Sequence, residues 1–175
     1  MDTTTIYTQL LTEVRSTLYR LALSIVADGA EAEDIVQDVS ERAWRARDKV
    51  LQSEHPRAYV CRMAYNLAID RARHRKRERL YVAEQSPNAA SGDRAIEVGD
   101  MAQLTKQLIA SLPDKQRTAI HMRDVEGYEI EEIAELLDID PTSVRMNLSR
   151  ARKSIREELL KALNYGVERH TSTNR

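Results

Sequence analysis

Arginine is the side chain whose number and spacing in this sequence most clearly suggest a chemical role. Residues 57–79 hold eight basic and two acidic residues, and residues 145–156 hold five basic residues and no acidic one. Guanidinium groups hold phosphates and pair bidentately with guanine edges, so both stretches suit nucleic acid. The net charge of −1 conceals these stretches, because the acidic residues are concentrated elsewhere.

Two further stretches, 28–41 and 126–138, each hold six acidic residues and no basic one. DNA would repel them, which leaves them free to meet protein. The four stretches together therefore predict two kinds of partner for one small chain. The alternative for each stretch is a solvated helix face without a partner.

The other reactive residue types predict no catalysis. The four histidines are scattered without metal-ligand spacing, and no glycine-rich phosphate loop or nucleophile elbow is present. We expect Cys61, which lies among apolar neighbours on a predicted helix, to be buried rather than reactive. The sequence thus predicts a protein that needs no metal or other cofactor.

The sequence also predicts a cytoplasmic protein without membrane insertion. A single cysteine excludes an internal disulfide and suits a reducing interior. No apolar run approaches the roughly 18 residues of a membrane span, and the polar first residues lack the pattern of a signal peptide.

The composition favours an all-α fold, since the chain has no Phe, five Gly and four Pro. Apolar spacing predicts a helix over about 6–27, ended by a left-handed Gly29, a second helix from near Ala32, and a third from Pro56 to near Arg79. The expected core positions of these helices are Val14, Leu18, Leu21, Ile25, Ile35, Val36, Val39, Ala43, Val60, Met63, Ala64 and Leu67. We therefore predict a helical domain over residues 1–79.

A flexible linker is predicted over residues 80–100, which hold small and helix-breaking residues with little periodicity. A second domain of four helices follows over 101–165, with a polar tail over 166–175. Its last helix has a strong start signal, with Asp140 as the N-cap and Pro141 as the first residue.

The last two helices of this domain form a predicted helix-turn-helix, because a short turn joins them and the second helix is rich in arginine. The side chains on the exposed part of the second helix are candidates for DNA contacts. They are Thr142, Ser143, Arg145, Met146, Ser149, Arg150 and Lys153.

Two independent motifs resemble extracytoplasmic-function sigma factors of the sigma-70 family. Residues 112–155 resemble domain four of that family, with its LP-x-x-x-R opening, its EG-x-x-x-EEIA helix and its V-x-x-x-L-x-RAR recognition helix. Residues 33–77 resemble domain two, through EDIVQDVSERAWR and PRAYVCRMAYNLAIDRARHRKR. The resemblance covers about 150 residues, with the motifs in the family's order.

The resemblance implies a subunit that directs core RNA polymerase to promoter DNA. The first domain would dock on the clamp coiled coil of the largest subunit, and the second would meet the flap region. An anti-sigma factor is a further implied partner. The implied polymerase-binding residues are Asp34, Gln37, Asp38 and Glu41.

The resemblance also implies that the helix from Pro56 binds the −10 element, with Asn66 reading an unstacked base. The arginines of this helix would hold phosphates of the separating strands. They are Arg62, Arg71, Arg73, Arg75 and Arg77. Two tyrosines, Tyr59 and Tyr65, are expected to be core residues rather than stacking platforms, and Trp44 a core or interface residue.

The chain departs from the family pattern at three positions. Asp138 stands where the turn usually has Gly, so it must adopt an unusual backbone or reshape the turn. Glu129 replaces a capping Ser, and Asn147 replaces a common Arg.

Two other interpretations remain open at this point. A free-standing helix-turn-helix regulator explains the second domain but not the basic helix of the first. A helical adaptor would require the basic stretches to be incidental.

Overall fold

A computed structural model describes residues 3–85 and 101–172, and all regular structure within them is helical. The N-terminal helices are α1 (Thr3–Val26), α2 (Gly29–Arg45), α3 (Arg47–Gln52) and α4 (Pro56–Gln85). The C-terminal helices are α5 (Met101–Ser111), α6 (Asp114–Ile120), α7 (Ile130–Leu137) and α8 (Pro141–Ser172), with a π-helical turn at His121–Val125 directly after α6. The all-α prediction is confirmed.

The domain boundaries stay predictions. Residues 86–100 of the predicted linker and residues 173–175 of the predicted tail lie outside the described residues. Helix α4 continues past Arg79 to Gln85, and α8 continues through the predicted start of the tail to Ser172.

The N-terminal core forms where α1 packs against α2 and α4. The expected core positions are correct, since ten of the twelve are buried and the other two, Met63 and Leu67, pack against the core while partly exposed. The tyrosines also follow the expectation, because Tyr65 is buried and Tyr59 packs against the core. Helix α3, which the sequence analysis did not predict, adds the buried Val50 to this core.

The turn between α1 and α2 differs from the prediction. Ala27, not Gly29, adopts the left-handed conformation, with φ of 54°. Asp28 is extended because it caps α2, with its carboxylate accepting a hydrogen bond of 2.8 Å from the Glu31 N–H. The chain reversal therefore falls two residues earlier than predicted, and Gly29 becomes the first residue of α2. A Cβ on Gly29 would lie 3.3 Å from the Tyr19 hydroxyl, so glycine is suited to this position by close packing.

Helices α7 and α8 form the predicted helix-turn-helix, and the turn is built around Asp138. This residue has φ of 54° and ψ of 53°, so it adopts the left-handed conformation where the family usually has Gly. The Ile139 N–H donates to the Ala134 carbonyl at 3.1 Å, as in a Schellman motif. Asp140 then caps α8 as predicted, accepting from the Ser143 N–H at 2.9 Å.

The two domains pack against each other along α4. Helix α7 lies against α4, and both α6 and the π-helical turn contact α1. This arrangement, which was not predicted from the sequence, creates a seam between the domains.

Replacing Ala27 by Gly should stabilise the protein by about 0.5–1 kcal/mol, because a left-handed conformation strains every residue with a Cβ. Ala27 is exposed, so the substitution removes little packing. Urea unfolding of the two proteins measures the difference. Ala30→Gly is the matched control, since Ala30 is equally exposed but helical, and there glycine should destabilise by a similar amount. A loss of stability in Ala27→Gly would contradict the account of this turn.

Candidate nucleic-acid interface and docking face

Helix α2 presents an acidic face opposite its buried stripe. Asp34, Gln37 and Glu41 recur at i, i+3 and i+7 and are exposed, and Glu41 pairs with Arg45 on the same helix. Asp38 is different, because its carboxylate accepts a hydrogen bond of 2.6 Å from Arg71 of α4. Three of the four predicted docking residues are therefore open to a partner, and the fourth is tied to the neighbouring helix.

Trp44 extends this face by one further turn. Its side chain remains 42% exposed, although its ring makes an edge contact with Tyr7 at 5.3 Å between centroids. The Arg47 guanidinium lies 5.1 Å from the centre of the indole ring. Trp44 is thus an exposed aromatic residue beside the acidic side chains, consistent with the expectation of a core or interface residue.

Helix α4 divides its predicted DNA-binding residues between two faces. Asn66, Arg73 and Arg77 are exposed and follow one another at i, i+7 and i+11, so they share a face. Arg62 begins the same face one turn earlier, and its guanidinium pairs at 3.0 Å with Asp138 of the other domain.

The other two predicted arginines of α4 point into their own domain. Arg71 binds Asp38, and Arg75 pairs with Glu31 and donates at 3.0 Å to the Val26 carbonyl at the end of α1. Both lie on roughly the opposite side of α4 from Asn66. These two arginines join α4 to α1 and α2 in this structure.

The N-terminal turns of α8 present most of the predicted contact residues to solvent. Thr142, Arg145, Met146, Ser149, Arg150 and Lys153 are exposed. Ser143 is half-buried, and its hydroxyl donates at 2.5 Å to the Asp140 carboxylate, so the cap occupies it. Asn147 likewise turns inward, and its amide donates to the Ser143 carbonyl at 2.8 Å.

A shallow basic groove runs beside α8, between that helix and the start of α7. Its lining includes Arg145 and Lys153 together with Arg123, Arg152 and Arg156. Arg152 is held by Asp124 at 2.6 Å, and Arg123 by Glu129 at 2.9 Å. Sequence reasoning missed Arg123, because it stands alone outside the basic stretches and only the packing of α8 brings it to the groove.

Glu126 makes three short hydrogen bonds across the seam between the domains. Its side chain is 3% exposed and accepts two hydrogen bonds of 2.7 Å from Arg20 and one of 2.8 Å from Thr17. Burial alone would raise the pKa of this carboxyl, but the bonds from Arg20 and Thr17 outweigh it and hold the pKa below its ordinary value. Burial lowers the pKa of the neighbouring His121, which Glu126 opposes. Glu126, which directly follows the π-helical turn, therefore anchors the C-terminal domain to α1 through a charged contact.

Tyr128 forms the second contact of the seam. Its buried ring lies under the Arg57 guanidinium, 5.0 Å from it, and its hydroxyl lies 3.4 Å from the Cys61 sulfur. Cys61 is fully buried, as expected, and burial raises its pKa to about 12. The thiol is therefore protonated and shielded in this arrangement.

Within 3–85 and 101–172, no cluster of three or more His, Cys, Asp or Glu side chains is placed to hold a metal ion. None of the helices in that part of the chain is long and apolar enough to cross a membrane.

Comparison with known families gives two matches in chain order. Residues 10–78 match sigma-70 region 2, and residues 102–155 match sigma-70 region 4. The first match contains α2 and most of α4, and the second contains the helix-turn-helix and the basic groove. The two matches therefore cover both candidate surfaces.

Individual relatives are similar over most of this chain. The ECF RNA polymerase sigma factor SigL of Mycobacterium tuberculosis is 30% identical over 82% of this chain and 83% of its own length. The probable RNA polymerase sigma factor RfaY of Xanthomonas campestris is 28% identical over 88% of this chain, which spans 40% of that longer relative.

Among solved structures, the sigma factor RpoE in complex with the anti-sigma factor NepR, from Bartonella quintana, has the same fold. It superposes with a TM-score of 0.68 at 25% identity, covering 87% of this chain and 96% of the other. With two matched regions and a relative at 30% identity, the chain belongs to the sigma-70 family of RNA polymerase sigma factors, in the extracytoplasmic-function group.

Proposed function

We propose that the exposed face of α2 docks on the clamp coiled coil of the largest polymerase subunit. The face offers three polar side chains, Asp34, Gln37 and Glu41, beside the exposed ring of Trp44. Acidic residues at the rim select a basic partner surface, and an aromatic residue at such a site contributes buried area. Asp38 contributes less directly in this proposal, because Arg71 already binds its carboxylate.

The face of α4 that carries Arg62, Asn66, Arg73 and Arg77 is the proposed binding surface for the −10 element. Asn66 has an amide that both donates and accepts, which suits it to read the edge of an unstacked base. The arginines on either side hold phosphates, which position the strand without reading its sequence. In this proposal Arg71 and Arg75 mainly orient the helix, since they are bound to Asp38 and Glu31.

The N-terminal turns of α8 are the proposed reader of the −35 element. Arg145 and Arg150 can pair with guanine edges, and Met146, which is 45% exposed, can contact a thymine methyl group. The basic groove beside α8 is suited to the DNA backbone, because five cationic side chains line it. Ser143 has a lesser part, since the cap of α8 occupies its hydroxyl.

Binding free energy takes the place of catalysis in this mechanism. Capture of unstacked bases on α4 favours the open duplex, and phosphate contacts offset an opening cost of a few kcal/mol. Residues 1–79 would supply the polymerase and −10 contacts, residues 101–165 the −35 and flap contacts, and residues 80–100 the connection between them.

The single observation that carries this proposal is that α2 and α4 present chemically opposite faces from one rigid unit. Arg71 and Arg75 fasten the acidic helix to the basic one, so that docking on polymerase also positions the DNA-binding face. A free-standing helix-turn-helix regulator is not favoured, because it gives no role to the region 2 match over residues 10–78.

Two further features follow from this proposal. An anti-sigma factor is a proposed partner, by analogy with the Bartonella quintana sigma factor, which was solved in complex with one. The proposed location is the cytoplasm, where polymerase and promoter DNA are found.

Asp34→Arg should weaken the complex with core RNA polymerase about tenfold or more, because it reverses a charge on an open docking face. Asp34 has no hydrogen bond or ion pair with the described residues, so the domain itself should remain folded. Size exclusion with core polymerase, followed by promoter-dependent transcription, measures both consequences.

The control for this experiment is Glu13→Arg, which makes the same charge reversal on the exposed surface of α1. That variant should bind polymerase as the wild type does. Equal binding by the Asp34→Arg variant and the wild type would exclude this face as the docking surface.

Asn66→Ala should relax the base preference at the −10 element and slow the formation of open complexes by about 10- to 100-fold, since a base-edge contact is worth about 1–3 kcal/mol. Arg77→Ala is the matched comparison on the same face. It should weaken binding to all −10 sequences alike and reduce the salt dependence by about one counterion. Strand opening by the reconstituted holoenzyme on a set of −10 variants measures both. An unchanged base preference in Asn66→Ala would contradict the assignment of Asn66.

A further inference from the structure

The last turns of α4 extend beyond the rest of the N-terminal domain. Among the described residues, Arg75 is the last of α4 that bonds to this domain, through Glu31 in the first turn of α2 and the Val26 carbonyl at the end of α1. Every side chain described after Arg75 is exposed, while the helix itself continues to Gln85. Residues 76–85, about 15 Å of helix, therefore project past the ends of α1 and α2. We call this projection the α4 arm.

The arm has an apolar tip made of two adjacent side chains. Leu80 is 55% exposed and Tyr81 is 64% exposed, and no large apolar side chain of the described residues is more exposed than Tyr81. Single apolar side chains on a protein surface are ordinary, but a leucine and a tyrosine side by side on a projecting helix offer a surface for a partner. Tyrosine suits such a surface because it combines an apolar ring with a polar hydroxyl.

The tip lies on the same face of α4 as the proposed DNA-binding residues. At about 100° per residue, Leu80 lies about 40° to one side of Asn66, and Tyr81 about 60° to the other side. Arg73 and Arg77 lie between them, each within about 20° of Asn66. The face that carries Asn66 therefore continues without a break through the two arginines to the tip.

The charge of the arm indicates nucleic acid as the occupant of this surface. Lys76, Arg77 and Arg79 form no ion pair with the described residues, and the one acidic residue among 76–81, Glu78, lies 3.5 Å from His74 on the same helix. Phosphates supply the negative charge that three cations select, while deoxyribose and base edges supply an apolar surface for a side chain such as leucine.

The length of the chain after the arm indicates which way the arm points on a promoter. Elements centred near −10 and −35 are about 25 base pairs apart, which is roughly 85 Å of B-DNA. The connecting residues 86–100 span at most about 54 Å even when they are fully extended. An arm that pointed away from the −35 element would add its own length to a distance that these residues already fail to cover. The arm must therefore point upstream.

We propose that the α4 arm is a further DNA contact, which binds the promoter duplex directly upstream of the −10 element. The tip lies about 22 Å along the helix from Asn66, which is six to seven base pairs at about 3.4 Å each, so it falls beyond the bases that Asn66 would read. Leu80 and the Tyr81 ring pack against sugars and base edges of the groove, and the cations hold phosphates. The contact adds affinity with little base preference. The proposal rests on the proposed function in one respect, the assignment of α4 to the −10 element.

The first test locates the tip on DNA. Cys61 is the only cysteine of the chain, so Tyr81→Cys in a Cys61→Ala background accepts a single DNA-cleaving iron chelate. In the complex of this protein with core polymerase and promoter DNA, we expect backbone cleavage in the duplex upstream of the −10 element. The reference is Arg73→Cys in the same background, since Arg73 is exposed on the same face. The two cleavage centres should lie about three to four base pairs apart, because eight residues of helix rise about 12 Å.

Cleavage of the upstream duplex by the Tyr81→Cys conjugate supports the proposal. Cleavage confined to a polymerase subunit or to the chain itself would overturn it, and would identify a protein surface as the occupant of the tip. Cleavage downstream of the position reached from Arg73→Cys would overturn the direction of the arm.

The second test measures how much the tip contributes to binding. Two promoter fragments share the −10 element, and the duplex of one ends at that element while the other continues about ten base pairs upstream, farther than the tip reaches. The double variant Leu80→Ala with Tyr81→Ala, assembled with core polymerase, should bind the longer fragment about tenfold more weakly than the wild type does, because two apolar contacts are lost. It should bind the shorter fragment as the wild type does. Both side chains are exposed and alanine favours the helix, so the arm itself should persist.

The matched control is Glu78→Ala, which removes the contact with His74 from the same exposed turns but leaves the tip intact. This variant should bind both fragments at least as tightly as the wild type, since it removes a negative charge next to DNA. Circular dichroism checks that every variant has the same helical content.

Equal losses on the two fragments, or no loss on either, would overturn the role of the tip. If Asn66→Ala relaxes the base preference while the double variant behaves as the wild type, the arm proposal is wrong and the proposed function stands. If the wild-type complex does not distinguish −10 sequences at all, the assignment of α4 is wrong, and the arm proposal falls with it.

Discussion

Helix α4 must bury one side in the N-terminal domain while it keeps another side for a partner, and most of the structure depends on how it meets this constraint. Its inner side uses small residues, with Ala64 and Ala68 fully buried in the core, so that α1 and α2 can approach closely. The outer side is left to Asn66 and to long cationic side chains that reach solvent. Helix α7 of the C-terminal domain also packs against α4, so both domains meet on this one helix.

The acidic stretch of the sequence over residues 28–41 has two separate structural roles. Its inward members, Glu31 and Asp38, bind Arg75 and Arg71 and fasten α2 to α4. Its outward members, Asp34 and Glu41, remain on the open face. Arg75 in addition satisfies the Val26 carbonyl at the end of α1, where a cation is electrostatically favoured. Ion pairs at the edge of a helical core can therefore set the relative orientation of two binding faces, even where each contributes little to stability.

Local patterns in the sequence predicted the parts of the fold that depend on local physics. Apolar spacing identified the core positions, and Asp140 followed by Pro141 identified the start of α8. The turn at Ala27 was missed because Gly29 is the usual left-handed residue, whereas here the cap at Asp28 fixes where the chain reverses. Helix α3 was missed because it has only six residues and a single buried one.

The arrangement of the candidate sites was only partly predictable, because it depends on contacts between distant residues. Nothing local distinguishes Arg71 from Arg73, yet one binds Asp38 and the other is exposed. Glu126 and Arg20 are 106 residues apart, so their pairing has no signature in sequence spacing. The segregation of charge did indicate that the acidic stretch 126–138 meets protein, but it did not indicate that the protein is the chain's own N-terminal domain.

The distance between the two domains in solution tests this account most directly. Spin labels on Asp48→Cys in α3 and Lys115→Cys in α6, in a Cys61→Ala background, place one exposed probe on each domain. Pulsed dipolar spectroscopy should give a short, narrow distance distribution for the free chain. It should give a distribution longer by tens of ångströms after core polymerase and promoter DNA are added, since the two elements lie roughly 85 Å apart. A broad, long distribution in the free chain, or an unchanged short one in the complex with polymerase and DNA, would contradict the account.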